Sequence, residues 1–198
     1  MMDFTPGQLY LSGINFAVNY AGGSKMRKNS GFSLIELLIA IAVIAILVGI
    51  ALPNFISWRN NAQLGRAARD LYGSLQKAKM EATKSNRYCA VSFNSVSVNG
   101  KTYDYVAYID DSPFNLQYDA GEQVLTAKTW SEYPGVSNSD GVTFPTVASK
   151  PTISFAPDGL PKDQAGVLQS GSVFLKNQSA KTREISVSLL GNVQITQY

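Results

Sequence analysis

Phe32 to Leu52 reads FSLIELLIAIAVIAILVGIAL, and only Ser33 and Glu36 break its apolar character. At ~1.5 Å per residue these residues make a helix of ~31 Å, one hydrocarbon core in length. After Pro53 the composition becomes that of a water-soluble body. The sequence therefore divides into a membrane-length helix and a soluble part. Arg27 and Lys28 precede the apolar run. By the positive-inside rule that end is cytoplasmic, and residues after Pro53 lie outside. A secretory signal peptide would have a shorter apolar core, ~7–15 residues, and then a small-residue cleavage site. An uncleaved signal anchor is the other ordinary reading.

Glu36 separates these readings. An ionised carboxylate within a bilayer costs several kcal/mol, roughly 2.5–3.5 on insertion scales, unless it finds a partner. No basic side chain lies within the run. Cutting after Gly31 would expose an α-amine on Phe32, four residues from Glu36. Such an amine titrates near about 7.7–8.0 and is largely cationic at neutral pH. Glu36 could pair with its own terminus or with that of a neighbouring subunit. The second pairing would set the register of an assembly, the best-attested use of a buried ion pair.

Gly31-Phe32-Ser33-Leu34-Ile35-Glu36-Leu37, with its basic leader and long apolar run, resembles the type III signal sequence of type IV pilins and type II secretion pseudopilins. Pro53 falls where that family kinks its first helix. The resemblance implies cleavage between Gly31 and Phe32 by prepilin peptidase and N-methylation of Phe32. It also implies that Glu36 meets the terminus of an adjacent subunit in a helical filament. Family leaders are short, and Met26 would begin one of ordinary length. Residues 1–25 then read as an upstream start codon chosen in error, or else as an unusually long cytoplasmic leader.

Beyond Pro53, Phe55, Ile56, Leu64, Ala68, Leu71, Leu75, Ala78 and Ala82 recur mostly at helical spacing. They predict an amphipathic helix ending near Asn86, with local unwinding at Pro53, where proline removes a hydrogen bond. From Tyr88 the pattern becomes that of strands. Tyr88–Phe93 alternates, and Asn99-Gly100 marks a hairpin between β-prone arms that continue to Ile109. Val124–Trp130, Thr152–Phe155, Ser172–Lys176, Glu184–Leu190 and Val193–Ile195 are further candidate strands. Ala156-Pro157-Asp158-Gly159 and Gly191-Asn192 mark turns. The expected fold is α+β, a long helix packed on two small antiparallel sheets.

The C-terminal half also resembles the domain shared by the GspH pseudopilin and the FimT/FimU-type minor pilins. The resemblance rests on Ile153-Ser154-Phe155, Pro157-Asp158-Gly159, Gly171–Leu175, Arg183–Ser188 and Gly191-Asn192-Val193. Together the two resemblances imply a type IV pilin fold with four segments. These are a leader (1–31), a membrane or filament-core half-helix (32–53), an amphipathic half-helix (54–87) and a β-rich domain (88–198). They imply a minor subunit that primes assembly at or near the tip of a type IV pilus. The implied alternatives are a minor pseudopilin of a type II secretion system and, second, a DNA-binding (FimT-like) competence pilin. Before assembly such a subunit sits in the bacterial inner membrane with its C-terminal domain in the periplasm. Its implied partners are prepilin peptidase and other major and minor subunits.

DNA-binding FimT-type pilins carry arginines around the last Gly-x-Val turn, whereas this chain reads Gly191-Asn192-Val193-Gln194. Residues 54–198 hold 14 basic and 12 acidic side chains. Affinity for nucleic acid needs clustered phosphate contacts, so a nucleic-acid partner is not expected. The chain has no histidine and one cysteine, Cys89. That excludes a Ser–His–Asp triad, a His-bearing zinc site and an intramolecular disulfide. No motif arranges carboxylates for catalysis, and neither enzymatic activity nor a cofactor is expected. Asp110, Asp111, Asp119 and Glu122 share one loop and are weak calcium candidates. Calcium takes six to eight oxygen ligands, and the spacing is not that of an EF-hand, so a solvated acidic turn is the expected reading. Cys89 is expected to be a buried, inert thiol. Trp58 and Trp130 read as packing residues, or for Trp58 as a membrane-interface anchor.

Overall fold

The computed structural model describes residues 31–111, 114–138 and 141–198. Residues 1–30 of the leader, including Met26, Arg27 and Lys28, lie outside the described residues. The described residues fall in two units, one ending at Ile44 and one running from Ala45 to Tyr198. Of the first, the described part is residues 31–33 and the beginning of helix α1 (Leu34–Ser85), where side chains are nearly all exposed.

Within the second unit α1 continues unbroken through Pro53. The expected unwinding is not seen. A proline deletes one hydrogen bond and crowds the carbonyl four residues back. Here that residue is Gly49, which adds no side chain to the crowding. The buried stripe of α1 starts at Leu64 and continues through Ala67, Ala68, Leu71, Leu75, Ala78 and Ala82, spaced three and four apart. Phe55 and Ile56, read from the sequence as part of that stripe, are exposed instead. The small alanines let the helix backbone lie close to the sheets.

Among the described residues nine strands follow: β1 (Tyr88–Val98), β2 (Lys101–Asp110), β3 (Val124–Lys128), β4 (Val136–Ser137), β5 (Thr146–Val147), β6 (Lys150–Phe155), β7 (Gly171–Asn177), β8 (Thr182–Val187) and β9 (Val193–Gln197). They form two sheets, ordered β3-β2-β1-β6-β5 and β4-β7-β8-β9, with every pairing antiparallel. The Asn99-Gly100 hairpin forms as the sequence indicates. Val98 pairs with Lys101, and both turn residues have positive φ, 50° and 78°. In the Pro157 turn, Gly159 N–H donates to the Ala156 carbonyl at 2.8 Å. Trp130 leaves the strand predicted for it and opens a single 3-10 turn, its N–H donating to Asp104 at 2.7 Å.

The core joins the α1 stripe to Cys89, Val91, Phe93, Tyr105, Ala107 and Ile109 of the first sheet and to Val173, Leu175, Ile185 and Val187 of the second. The opposite face of the first sheet is buried too. Ala90, Val96, Val98, Val106 and Tyr108 pack there under Leu116, with Phe114 and Tyr118 alongside. This is why β2 ends in six consecutive buried residues rather than alternating. Among the described residues all buried core residues lie between Leu64 and Val193, so the soluble part carries its own core.

Candidate assembly surface

The start of α1 is built by a local device. Ser33 stands at the N-cap, and its hydroxyl accepts the N–H of Glu36 at 3.2 Å. Its carbonyl accepts the N–H of Leu37 at 3.1 Å. Ser33-Leu34-Ile35-Glu36 is thus a capping-box sequence, with the glutamate at the third helical position. Phe32 before the cap and Leu37 after it occupy the two positions of a hydrophobic staple. The sequence reading did not include this helix-start role, which the Ser-x-x-Glu spacing signals. A glutamate in the first turn also complements the positive end of the helix dipole.

Gly31, Phe32 and Glu36 are all exposed, and Pro53 is exposed within the helix. From Leu34 to Trp58 the large apolar side chains stand uncovered, Ile50 at 71 % exposure and Trp58 at 65 %. Phe55 and Trp58 lie 5.8 Å apart between ring centroids and extend this surface past Pro53. Soluble monomers rarely carry contiguous apolar patches above a few hundred Å². Here α1 alone is long and apolar enough to cross a membrane among the described residues.

The four acidic loop residues serve the chain itself. Asp110 is only 4 % exposed and accepts the N–H groups of Leu116 at 2.6 Å and Asn115 at 3.4 Å. Burial outweighs those hydrogen bonds and pushes its carboxyl from 3.8 up to about 6. Glu122 accepts the N–H groups of Asp111 at 3.0 Å and Asp119 at 2.9 Å, and burial also raises its pKa. Asp111 pairs with Arg87 at 2.6 Å, and Asp119 accepts the side-chain amide of Asn115 at 2.8 Å. Among the described residues no group of three or more acidic, histidine or cysteine side chains is placed to hold a metal ion. The loop was expected to be a solvated turn. Instead Leu116 is buried beneath it, Phe114 lies against Tyr88 at 4.1 Å, and Tyr118 meets Tyr108 edge-on at 5.5 Å.

Cys89 is fully buried, and burial pushes its thiol up to about 12, with the charge of Glu81 adding to the effect. Arg183 turns its guanidinium toward Gln197 at 3.2 Å. Lys79, on α1, donates to the carbonyl of Gly191 at 2.8 Å and so ties the β8–β9 turn to the helix.

Residues 67–191 match the family described as Type II transport protein GspH, and residues 26–52 match the prokaryotic N-terminal methylation motif. The chain belongs to the GspH family. It is a type IV pilin-like or pseudopilin-like subunit carrying the methylation motif at the head of its apolar helix. It is 30 % identical over 93 residues to the pilin-like protein PilA1 of Thermus thermophilus, covering 47 % of this chain and 55 % of PilA1. The chain thus spans about half the length of that relative. It is 31 % identical over 98 residues to the type IV wide pilus major component PilA4 of the same organism, covering 41 % of this chain and 75 % of PilA4. The type IV minor pilin FimU of Pseudomonas aeruginosa superposes with a TM-score of 0.44 at 14 % identity, over 70 % of this chain and 92 % of FimU. The family is one of structural, pilin-like proteins.

Proposed function

We propose that this chain is a minor structural subunit of a type IV pilus that primes assembly and sits at or near the filament tip. The observation that carries the reading is the run of uncovered apolar side chains from Leu34 to Trp58. Each large aliphatic side chain removed from water contributes about 1.5–3 kcal/mol. The surface therefore demands lipid before assembly and neighbouring helices after it. In this reading prepilin peptidase cuts after Gly31, Phe32 is N-methylated, and its amine meets Glu36 of an adjacent subunit. Pro53 ends the filament-core half of the helix, and the C-terminal body is periplasmic until assembly. The 31 % identity to a wide pilus component supports the pilus.

The GspH description supports a second reading, a minor pseudopilin of a type II secretion system. Deleting the gene, with surface pili and secreted proteins scored in one strain, tests both. Loss of pili with normal secretion supports the minor pilin. Loss of secretion with normal pili supports the pseudopilin. No change in either overturns both.

A further inference from the structure

The two sheets have four edges, and they are not equivalent. β4 and β5 are two residues long. At β3 the Lys77 ammonium, reaching from α1, occupies the Leu125 carbonyl at 2.6 Å, and Lys128 ends the strand. β9 is five residues long and reads Val-Gln-Ile-Thr-Gln, with no charge and no proline, and its register with β8 has no bulge. Charges, prolines, bulges and short length are the usual protections of an edge strand, and β9 has none of them.

The register fixes which of its backbone groups are free. Tyr198 N–H donates to Thr182 and Ser188 N–H to Asn192, both at 3.0 Å. Hydrogen-bonded pairs alternate along an antiparallel ladder, so the residues of β9 that bond β8 are Gln194 and Thr196. The N–H and C=O groups of Val193, Ile195 and Gln197 point the other way. Among the described residues β8 is the one strand beside β9, Ile195 is half-buried and Gln197 is exposed.

We propose that the free edge of β9 is a strand-docking site, filled by an extended, uncharged segment of a different pilin-type subunit running antiparallel to β9. This rests on the assembly reading above. In that antiparallel pairing, the direction of α1 argues against a second copy of this chain. Gly65 lies beside Arg183, at 3.6 Å from a Cβ placed on it, and Lys79 bonds Gly191, so α1 runs with β8 and against β9. Two copies paired antiparallel through β9 would point their α1 helices in opposite directions. The exposed apolar turns from Leu47 to Trp58 would then face opposite sides, which one membrane does not allow. A different subunit, offering a strand that runs with its own helix, meets both conditions. Such a strand would present an apolar residue beside Ile195 and polar residues beside Gln194 and Thr196.

Gln197→Pro tests this, because it deletes an outward N–H that makes no bond to β8, whereas proline at Thr196 would break the ladder itself. The full-length gene is returned to its deletion strain, and the sheared filament fraction is immunoblotted. Gln197→Pro should melt within about 5 °C of wild type yet fall at least tenfold in the filaments. Gln197→Ala should be retained. If Gln197→Pro melts lower than that, Gln197→Lys, which leaves the backbone intact, decides by the same tenfold criterion. Equal incorporation of the edge variant and wild type overturns the docking site alone. Absence of wild type from filaments overturns the function reading instead. A dimer of the purified full chain in detergent that Gln197→Pro dissolves would assign the edge to a second copy and overturn the choice of partner.

Discussion

Asp110 should make the soluble body less stable at neutral pH than in mild acid. Its carboxyl is raised from 3.8 to about 6, with burial as the main cause. Between those values the folded protein holds a proton that the unfolded chain has released. Stability is therefore highest below the unfolded value and falls as pH rises through about 4 to 6. At ~1.4 kcal/mol per tenfold change, the ionised group costs up to ~3 kcal/mol at pH 7. Glu122 is raised as well and acts in the same direction. Asp158 is lowered, first by Lys162, and acts oppositely in more acid solution. Asp110→Asn keeps an acceptor for the Leu116 N–H and removes the titration. Urea unfolding of residues 54–198 at several pH values from 4.5 to 7.5 is the assay. Wild type should lose roughly 1–3 kcal/mol across that range. The variant should lose clearly less, and be the more stable of the two at pH 7.5. A flat or rising wild-type profile, or the same slope in both proteins, would refute the account of the buried carboxyl.

Gly171→Ala should destabilise the soluble body by about 1–3 kcal/mol in urea unfolding, because the new Cβ would lie 2.5 Å from Phe144 Cδ1 and 3.0 Å from its backbone. Leu71→Ala, at a fully buried helix position, should cost about 2–5 kcal/mol in the same assay. Its counterpart Ile50→Ala, in the uncovered stretch, should leave the thermal melt of the full chain in detergent unchanged. Cys89 should resist iodoacetamide in the native protein at pH 8 and react once urea unfolds it, since its thiol is buried and pushed up to about 12.

The long helix was legible because a 21-residue apolar run has few alternatives, and the hairpin because Asn99-Gly100 allows the positive φ that its turn requires. Where side chains bond backbone, the sequence was less open. The carboxylates of Asp110 and Glu122 look like solvated charge until the chain around them is folded, when each meets two N–H groups. Leu116 gave no sign of burial, because it sits at φ 56°, an uncommon conformation for leucine, inside an apparently polar loop. β4 pairs with the distant β7, and β5 with β6 across the two-residue Ala148-Ser149 turn, but at two residues each they leave no local periodicity. Phe55 and Ile56 have the same apolar character as Leu64. Periodicity identifies an apolar helix face without saying whether the chain's own sheets or another molecule covers it.

Glu36 carries two demands that a pair of substitutions can separate. At the third helical position of a capping-box sequence it is placed to serve the start of α1, for which an uncharged acceptor suffices. As the proposed partner of an α-amine in an apolar filament core it needs its charge. Removing one member of a buried ion pair leaves the other charge uncompensated, at about 3–5 kcal/mol. Loss of a capping interaction costs only about 0.5–2 kcal/mol. Glu36→Gln keeps the acceptor and loses the charge, while Glu36→Ala loses both. If capping were the whole role, Gln would assemble normally and Ala would be modestly impaired. If the charge decides, both should be absent from the filament fraction to a similar degree. Membrane insertion, cleavage after Gly31 and the helical content of the purified chain in detergent should then stay largely intact. Normal incorporation of Glu36→Gln would remove the ion pair from the account and leave Glu36 as a helix cap.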